Sequence, residues 1–286
     1  MNALERDLEL QLRRIAVEVR KDVLRMISIA DSGHLGSSFS CVDILVYLYF
    51  HLMKVNPAEP DWMGRDRFVL SKGHACPSLY AVLARKGYFE REELWNYRKL
   101  GSLLQGHPLY INTLGIDAPS GSLGMGAGIS CGMAMALKNL SLDSKVFCLM
   151  GDGELQEGSC WEAFMTASHW KLDNLFFVID RNGQQMEGHT EAIKALEPLK
   201  RKLESFGLVC FETDGHDFSL IDEAFAQASL AKGPPKAIIA HTKWGRGITL
   251  AENGGIPVKA SLSRNEVTML LDELNRESMA LSEEGR

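Results

Sequence analysis

Apolar residues recur at helical spacing along the first thirty positions of the chain. This periodicity predicts one long amphipathic helix that ends before Asp31-Ser32-Gly33. Ser40, followed three residues later by Asp43 and then by an apolar run, resembles a capping box and predicts the start of a second helix. The apolar positions of the first helix are Leu4, Leu8, Leu12, Ile15, Val19 and Val23.

From Arg67 onward, short apolar runs alternate with helical segments, and this alternation predicts an α/β fold with a doubly wound parallel sheet. A last amphipathic helix, around Asn265 to Met279, follows a stretch that contains glycine and proline and is expected to be an appendage or a docking element. We therefore expect one α/β domain with N-terminal helices over residues 1–262 and a helical tail over 263–286. The predicted strands are 68–70, 145–150, 175–180, 208–212 and 236–240, and the predicted helices between them are 78–86, 123–139, 155–170 and 220–231.

Composition and charge narrow the class of protein. The 286 residues are 45% hydrophobic and 24% charged, which is typical of a soluble globular protein, and the formal charge of -6 comes without a basic block, so nucleic acid is not an expected partner. The six cysteines lie far apart and are expected to be reduced core residues. No apolar signal segment or membrane-length stretch is present, which makes the cytoplasm the default location.

Two polar loops follow neighbouring predicted strands. Gly151-Asp152-Gly153 comes after one strand, and Arg181-Asn182-Gly183 comes after the next, with 28 residues between Gly153 and Asn182. A right-handed crossover would bring these loops together at the carboxyl edge of the sheet, where ligands bind. A carboxylate, an amide oxygen and a main-chain carbonyl such as that of Gln184 suit Mg²⁺, and the glycines let backbone N–H groups approach a diphosphate. Each dipeptide alone is typical of an ordinary turn, but the pair at this spacing favours a ligand site.

The segment from Gly151-Asp152-Gly153-Glu154 through Asp180-Arg181-Asn182 resembles the diphosphate-binding motif of thiamine diphosphate enzymes, and its Leu-Gln-Glu-Gly part looks like transketolase. The resemblance covers the amino-terminal half of that family, from about residue 10 to residue 250. It implies that residues 1–262 form a thiamine diphosphate-binding domain, with Mg²⁺ held by Asp152, Asn182 and Gln184. The other segments that match in the family's order are Ser32-Gly33-His34, Ser71-Lys72-Gly73-His74, Gly106-His107-Pro108, Ser120 to Gly126 and Asp214-Gly215-His216-Asp217.

The resemblance also implies roles for individual side chains. His34, His74 and His107 would line the site around the thiazolium and the sugar hydroxyls, where an imidazole can exchange protons near neutral pH. A lone histidine beside a glycine is more often a loop hydrogen-bonder, but here each lies in a matching segment. Glu157, the fourth candidate catalytic residue, would join a carboxylate network that reaches toward a partner subunit. The implied cofactor-binding residues are Ser37, His74, Gly121, Ser122, Leu123, Gly151, Gly153, Glu154, Asn182 and Lys243.

Two departures from the family pattern concern the substrate side of the site. Trp244 stands where many members have a lysine, and Lys243 before it is not an assured substitute. The family's Trp-His-Gly is replaced by the run from Gly254 to Lys259, so one histidine near the diphosphate is absent. Both changes indicate that the donor sugar is unusual.

Members of the family also need a second, pyrimidine-binding domain that supplies the activating glutamate, and the chain ends where that domain would begin. We therefore expect a separate carboxy-terminal transketolase subunit as partner, in a heterotetramer with two copies of each subunit (α2β2) and the cofactor at the interface. Together the two subunits would transfer a two-carbon ketol unit from a ketose or ketose phosphate to an aldose.

Three other functions fit parts of the sequence. Gly128-Ile129-Ser130-Cys131-Gly132 matches the nucleophile elbow of serine hydrolases, although a strand should precede it and a glycine-rich loop does. A non-catalytic cofactor-binding subunit is favoured mildly by the replacement at Val258. The α subunit of a 2-oxo acid dehydrogenase fits His34, His74 and His107 less well than transketolase does.

Overall fold

The computed structural model describes residues 4–110, 113–253 and 261–284. Within them, a parallel five-stranded sheet has the order β1-β2-β3-β7-β6, and a two-stranded antiparallel hairpin, β4-β5, lies beside it. The departure of Gly254 to Lys259 from the family pattern lies outside the described residues. The strands are β1 Arg67–Leu70, β2 Val146–Gly151, β3 Leu175–Arg181, β4 Gln184–Gln185, β5 Gly188–His189, β6 Val209–Asp214 and β7 Lys236–His241.

Helices cover both faces of this sheet. Alternate strand residues point to opposite faces, so Phe147 and Phe176 join the apolar cluster on one face, and Cys148 and Phe177 join the cluster on the other. This confirms the predicted doubly wound α/β fold. The helices are α1 Arg6–Ala30, α2 Leu35–Ser40, α3 Val42–Tyr47, α4 Cys76–Lys86, α5 Met125–Asn139, α6 Gly158–His169, α7 Thr190–Ile193, α8 Leu199–Ser205, α9 Phe218–Leu230, α10 Thr249–Glu252 and α11 Arg264–Glu284.

The predicted capping box at Ser40 and Asp43 is wrong. Helix α3 begins at Val42, and the residue before it, Cys41, makes no side-chain capping bond. The Ser40 hydroxyl instead donates to the carboxylate of Asp180 at 2.5 Å, and Asp43 pairs with an arginine of α1. Long-range polar contacts thus take both side chains away from the helix terminus.

The carboxy-terminal helix α11 packs along α1 in the antiparallel direction. It buries Leu270, Leu274 and Leu281, so the apolar side that could have served for docking is covered by the chain itself. Arg13 of α1 pairs with Glu284 at 3.1 Å near the end of α11. The division of the chain at residue 262 into a domain and a tail stays a prediction.

The serine hydrolase interpretation is wrong because Ser130 lies inside helix α5 rather than at a strand-to-helix turn. Its hydroxyl is buried and donates to the Gly126 carbonyl at 2.7 Å. All six cysteines are buried and free, as expected for reduced core residues. Among the described helices, none has both the length and the apolar character needed to cross a bilayer.

Candidate functional site

The two polar loops meet at the carboxyl ends of β2 and β3, where Gly151 is the register partner of Asp180. A cavity of about 390 Å³ opens there, and the predicted convergence of Asp152 and Asn182 holds because both line it. Other residues predicted for the site also line this cavity, namely His34, Ser37, His74, Gly121, Leu123, Gly151, Gly153, Glu154, Glu157 and Gln184.

Asp152 connects the two loops. Its side chain is buried, one oxygen accepts from the Gly153 N–H at 2.8 Å, and the other accepts from the Gly183 N–H at 2.6 Å and from Arg181 at 2.9 Å. Burial and the neighbouring Asp180 raise its pKa, although Arg181 and Gly183 act against them. The carboxylate is therefore held at the cavity edge in a fixed orientation.

The floor of the site is built around the carboxylate of Asp180, which is fully buried at the end of β3. It accepts from Ser40 at 2.5 Å, from the Asn182 amide at 3.1 Å, and from Lys72 and Thr242. Burial alone would raise the pKa of Asp180, but the Lys72 cation and these donors hold it below its usual value. Asp180 is therefore ionised at neutral pH and keeps Asn182 oriented.

Lys72, in the turn after β1, ties the floor to helix α2. Its ammonium group is buried and also donates to the Ser37 carbonyl at 2.7 Å. The positive charge of Lys72 is thus paired with the carboxylate of Asp180 inside the protein. The Ser37 carbonyl is occupied by Lys72, while Ser37 itself lines the cavity.

Glu154 links the glycine-rich turn before α5 to the end of β2. Its buried carboxylate accepts from the Gly124 N–H at 2.8 Å, from the Gly151 N–H at 3.0 Å and from the Ser71 hydroxyl. Burial raises its pKa despite these donors. Glu154 lines the cavity as predicted, and its contacts in this structure are to the protein.

His34 and His74 line the cavity, and His107 lies beside it next to Gly121. The rings of His34 and His74 meet edge to face, with centroids 5.0 Å apart. Burial, followed by the Lys72 cation and the other two histidines, lowers the pKa of His74 to about 3, so this ring is neutral at neutral pH. His107 lies beside Gly121, where a Cβ would be 3.4 Å from the His107 ring, and burial together with Arg98 lowers its pKa.

Some predicted residues lie at the margin. Ser122 and His107 are exposed and do not line the cavity, although the His107 ring lies next to Gly121, which does. The Lys243 ammonium group is exposed and lies 3.7 Å from Glu252, so it does not replace the family's lysine in the wall. Trp244 lines the cavity instead.

The residues fit a cofactor that carries a diphosphate and a cation. The Ser37 hydroxyl is buried without a hydrogen-bond partner among the described residues, and Ser37 is one of the residues that line the cavity. Asp152, Asn182 and Gln184 all line the cavity, and a carboxylate, a side-chain amide oxygen and a main-chain carbonyl are oxygen ligands that suit Mg²⁺. This set includes a single carboxylate, and no cluster of three or more His, Cys, Asp or Glu side chains able to hold a metal occurs in 4–110, 113–253 or 261–284, so phosphate oxygens would have to complete the shell.

Sequence reasoning assigned no role to Lys72 or Asp180. The sequence contains a signal for both residues, because Asp180 directly follows an apolar run that is typical of a buried strand, and Lys72 lies two residues after another such run. Charged side chains in such positions are rarely buried unless they are paired. The remaining cavity residues without an assigned role are Gln156, Gln185, Met186 and Glu187.

Comparisons with known proteins agree with this geometry. The family model described as "Transketolase, thiamine diphosphate binding domain" matches residues 12–280. The chain is 41% identical over 244 residues to 6-deoxy-6-sulfo-D-fructose transketolase subunit SqwG of Clostridium sp. (strain MSTE9), covering 85% of this chain and 89% of that protein. It is 36% identical to an apulose-4-phosphate transketolase subunit of Phocaeicola vulgatus, covering 94% and 99%.

Solved structures give the same picture. The transketolase of Campylobacter jejuni superposes with a TM-score of 0.85 at 32% identity, over 94% of this chain and 45% of that one. The transketolase of Leishmania mexicana superposes with a TM-score of 0.84 at 28% identity, over 95% and 46%. The chain thus spans less than half of these solved proteins, whereas it spans most of the two separately encoded subunits.

Proposed function

Because the chain belongs to the transketolase family through its thiamine diphosphate-binding domain, it is part of a transketolase-type transferase, and we propose that its cavity holds thiamine diphosphate and Mg²⁺. The observation that carries this proposal is the convergence of Asp152 and Asn182 at one cavity, next to the unpartnered hydroxyl of Ser37. The reaction is the transfer of a two-carbon ketol unit from a ketose to an aldose.

The residues of this chain have separable roles in that reaction. Asp152, Asn182 and the Gln184 carbonyl would hold Mg²⁺, while Gly153 and Ser37 would contact the diphosphate. When bound, the cofactor would supply nucleophilic attack on a carbonyl and stabilisation of the negative charge that follows. The protein itself binds and orients the cofactor and neutralises its charge. Asp180 accepts a hydrogen bond from the Asn182 amide and so keeps that side chain in place.

Proton movement falls to the histidines. His74 is neutral at neutral pH because its pKa is lowered to about 3, so it contacts sugar oxygens as a neutral hydrogen-bonding ring. His34, beside it, shuttles the proton, and His107 contacts a second sugar oxygen. Glu157 is exposed at the cavity rim, where it can join a carboxylate network with a partner.

A second polypeptide completes the site. Two relatives of which the chain spans 89% and 99% are named as subunits, of a 6-deoxy-6-sulfo-D-fructose transketolase and of an apulose-4-phosphate transketolase. We infer that the partner is a separate pyrimidine-binding subunit and that the two form a heterotetramer with two copies of each. We infer also a sugar or sugar phosphate substrate and a cytoplasmic location. A 2-oxo acid dehydrogenase α subunit is not favoured by any observation, whereas a non-catalytic cofactor-binding function is decided by the following experiment.

The test is a ketol transfer assay with a ketose phosphate donor and an aldose phosphate acceptor. The purified chain alone should show no steady turnover, and adding the partner subunit should restore it. His34→Ala should then lower kcat, while His169→Ala, which changes an exposed histidine of α6, should not. Turnover by the chain alone would refute the split site, and complete inactivity of the reconstituted complex despite cofactor binding would favour the non-catalytic function.

A further inference from the structure

A cluster of hydrogen-bonded polar side chains, built around a buried ion pair, lies outside the residues that line the cavity. It consists of Arg20 of α1, Asp43 of α3 and His216 of the turn after β6, and we call these three residues the clasp. Arg20 and Asp43 are only 3% and 4% exposed. Two Arg20 nitrogens donate to the Asp43 carboxylate at 3.0 and 2.6 Å, and His216 Nδ1 lies 2.7 Å from the same carboxylate. Burial alone would raise the pKa of Asp43, but Arg20 and His216 hold it well below its usual value.

The hydrogen bonds of His216 define its tautomer. Its Nε2 accepts from the backbone N–H of Lys243 at 2.8 Å, so this nitrogen carries no proton. Nδ1 therefore carries the proton and donates it to Asp43. The imidazole is a rigid bridge from a buried carboxylate to the segment that follows β7.

Arg20 also binds the segment that follows β7, at a second residue. Its Nε donates to the Arg246 carbonyl at 2.9 Å. The next residue, Gly247, has φ of +92°, and a Cβ there would be 3.0 Å from Arg20 Cδ, so backbone and guanidinium stem lie in close contact. Residues 242–247, which we call the wall loop, are thus held by the clasp through Lys243 and Arg246.

The wall loop in turn shapes the cavity. The Gly245 N–H donates to the Gly36 carbonyl at 3.1 Å, and the Trp244 indole lies where a Cβ of Gly36 would be, 1.8 Å from the nearest ring atom. Gly36 sits between His34 and Ser37, and all three of Trp244, His34 and Ser37 line the cavity. A displacement of the wall loop therefore moves both the indole and the segment that carries His34.

We propose that Arg20, Asp43 and His216 are positioning residues for the transfer reaction, which they serve by fixing the wall loop and thereby the Trp244 and His34 side of the cavity. The clasp does not touch the cavity. A protein with a buried ion pair is often no more stable than one with apolar side chains in the same place. The role of the clasp is therefore to fix the relative positions of four segments, namely α1, α3, the turn after β6 and the wall loop. The effect on turnover rests on the proposed function, but the effect on the wall loop does not.

Two conservative substitutions of His216 separate its two hydrogen bonds. A glutamine amide reaches about as far as Nε2, so His216→Gln can still accept from the Lys243 N–H. An asparagine amide reaches about as far as Nδ1, so His216→Asn can still donate to Asp43 but cannot hold the loop. If acceptance from Lys243 fixes the wall loop, Gln should preserve its position, whereas Asn and Ala should release it.

Amide hydrogen exchange of the full chain, followed by mass spectrometry, measures this directly. In His216→Asn and His216→Ala, peptides that contain Lys243 and Gly245 should exchange about tenfold faster, as expected for the loss of one hydrogen bond. His216→Gln should stay close to wild type, and peptides of β7 should be unchanged in all three variants, which shows that the sheet is intact. Unchanged wall-loop exchange in Asn and Ala, or equal loss in Gln, would overturn the proposal.

The consequence for the reaction is read in the complex with the partner subunit. His216→Asn should lower kcat/KM by about tenfold to a hundredfold, as a small misplacement of site residues does, and His216→Gln should recover most of it. Equal kcat/KM in Asn and wild type would overturn the positioning role. If the wild-type complex shows no ketol transfer, the proposed function fails, while the exchange experiment still decides whether the clasp holds the loop.

Discussion

Replacing Lys72 by methionine removes the cation that faces Asp180 while keeping most of the side-chain volume. Both side chains are almost completely buried, at 1% and 0% exposure. Asp180 would keep its bonds from Ser40, Asn182 and Thr242, all of them from uncharged groups. Removing one partner of a buried ion pair costs about 3–5 kcal/mol, because the other charge is left without compensation. At about 2–4 °C per kcal/mol for a domain of this size class, Tm should fall by about 6–20 °C.

The control for this variant is Lys232→Met, which changes an exposed lysine and should stay within about 0.5 kcal/mol of wild type. Urea unfolding followed by circular dichroism gives the free energy of unfolding for each protein. The double variant Lys72→Met/Asp180→Asn should recover part of the loss, because no unpaired charge remains buried. A Lys72→Met variant that unfolds at the same urea concentration as the control would refute the reasoning.

The pH dependence of the free energy of unfolding provides a second test of the Lys72–Asp180 pair. Since Lys72 and its other donors hold the folded-state pKa of Asp180 below its ordinary value, the stability they contribute is present above the unfolded-state pKa of about 3.9. It is lost as the pH falls through the folded-state pKa. The difference between wild type and Lys72→Met should therefore shrink as the pH drops below about 4, and a difference that stays constant there would contradict the assigned cause.

Three further predictions follow from single contacts. Gly36→Ala should destabilise the protein in urea unfolding by about 1–3 kcal/mol, since its Cβ meets the Trp244 indole, and Trp244→Ala in the same chain should relieve the clash. A fluorophosphonate probe should not label the chain, because Ser130 lies inside a helix, and labelling would reopen the hydrolase interpretation. His34→Ala should lower kcat of the reconstituted complex by about a hundredfold to ten-thousandfold with its cofactor affinity preserved, and a loss of Tm with unchanged kcat would make His34 a structural residue.

The sheet and the loops at its edge could be predicted from the sequence because local patterns determine them. Each of the five strands contains an apolar run, and the spacing of Gly153 and Asn182 leaves room for one crossover helix and the next strand. Right-handed crossovers then place the two loops side by side. The hairpin β4-β5 and the short helices α7 and α8 were missed, since they are brief and largely polar.

Contacts across the sequence explain the rest. The motif from Ser40 to Asp43 has the local form of a capping box, yet both side chains are drawn into buried contacts with residues far along the chain. His216 lies in a segment that matches the family, but its place in a clasp with Arg20 depends on how α1 and α3 pack. Such contacts cannot be predicted from the spacing of residues along the chain, because they depend on side-chain directions in the folded protein.

The central claim is that the cavity at Asp152 and Asn182 holds thiamine diphosphate and Mg²⁺, and isothermal calorimetry on the complex with the partner subunit tests it most directly. Thiamine diphosphate should bind the wild-type complex in a Mg²⁺-dependent manner. Asp152→Ala should abolish that dependence and the binding, whereas Asp143→Ala, which changes a fully exposed carboxylate, should leave both as in wild type. Unchanged, Mg²⁺-dependent cofactor affinity in Asp152→Ala would contradict the account.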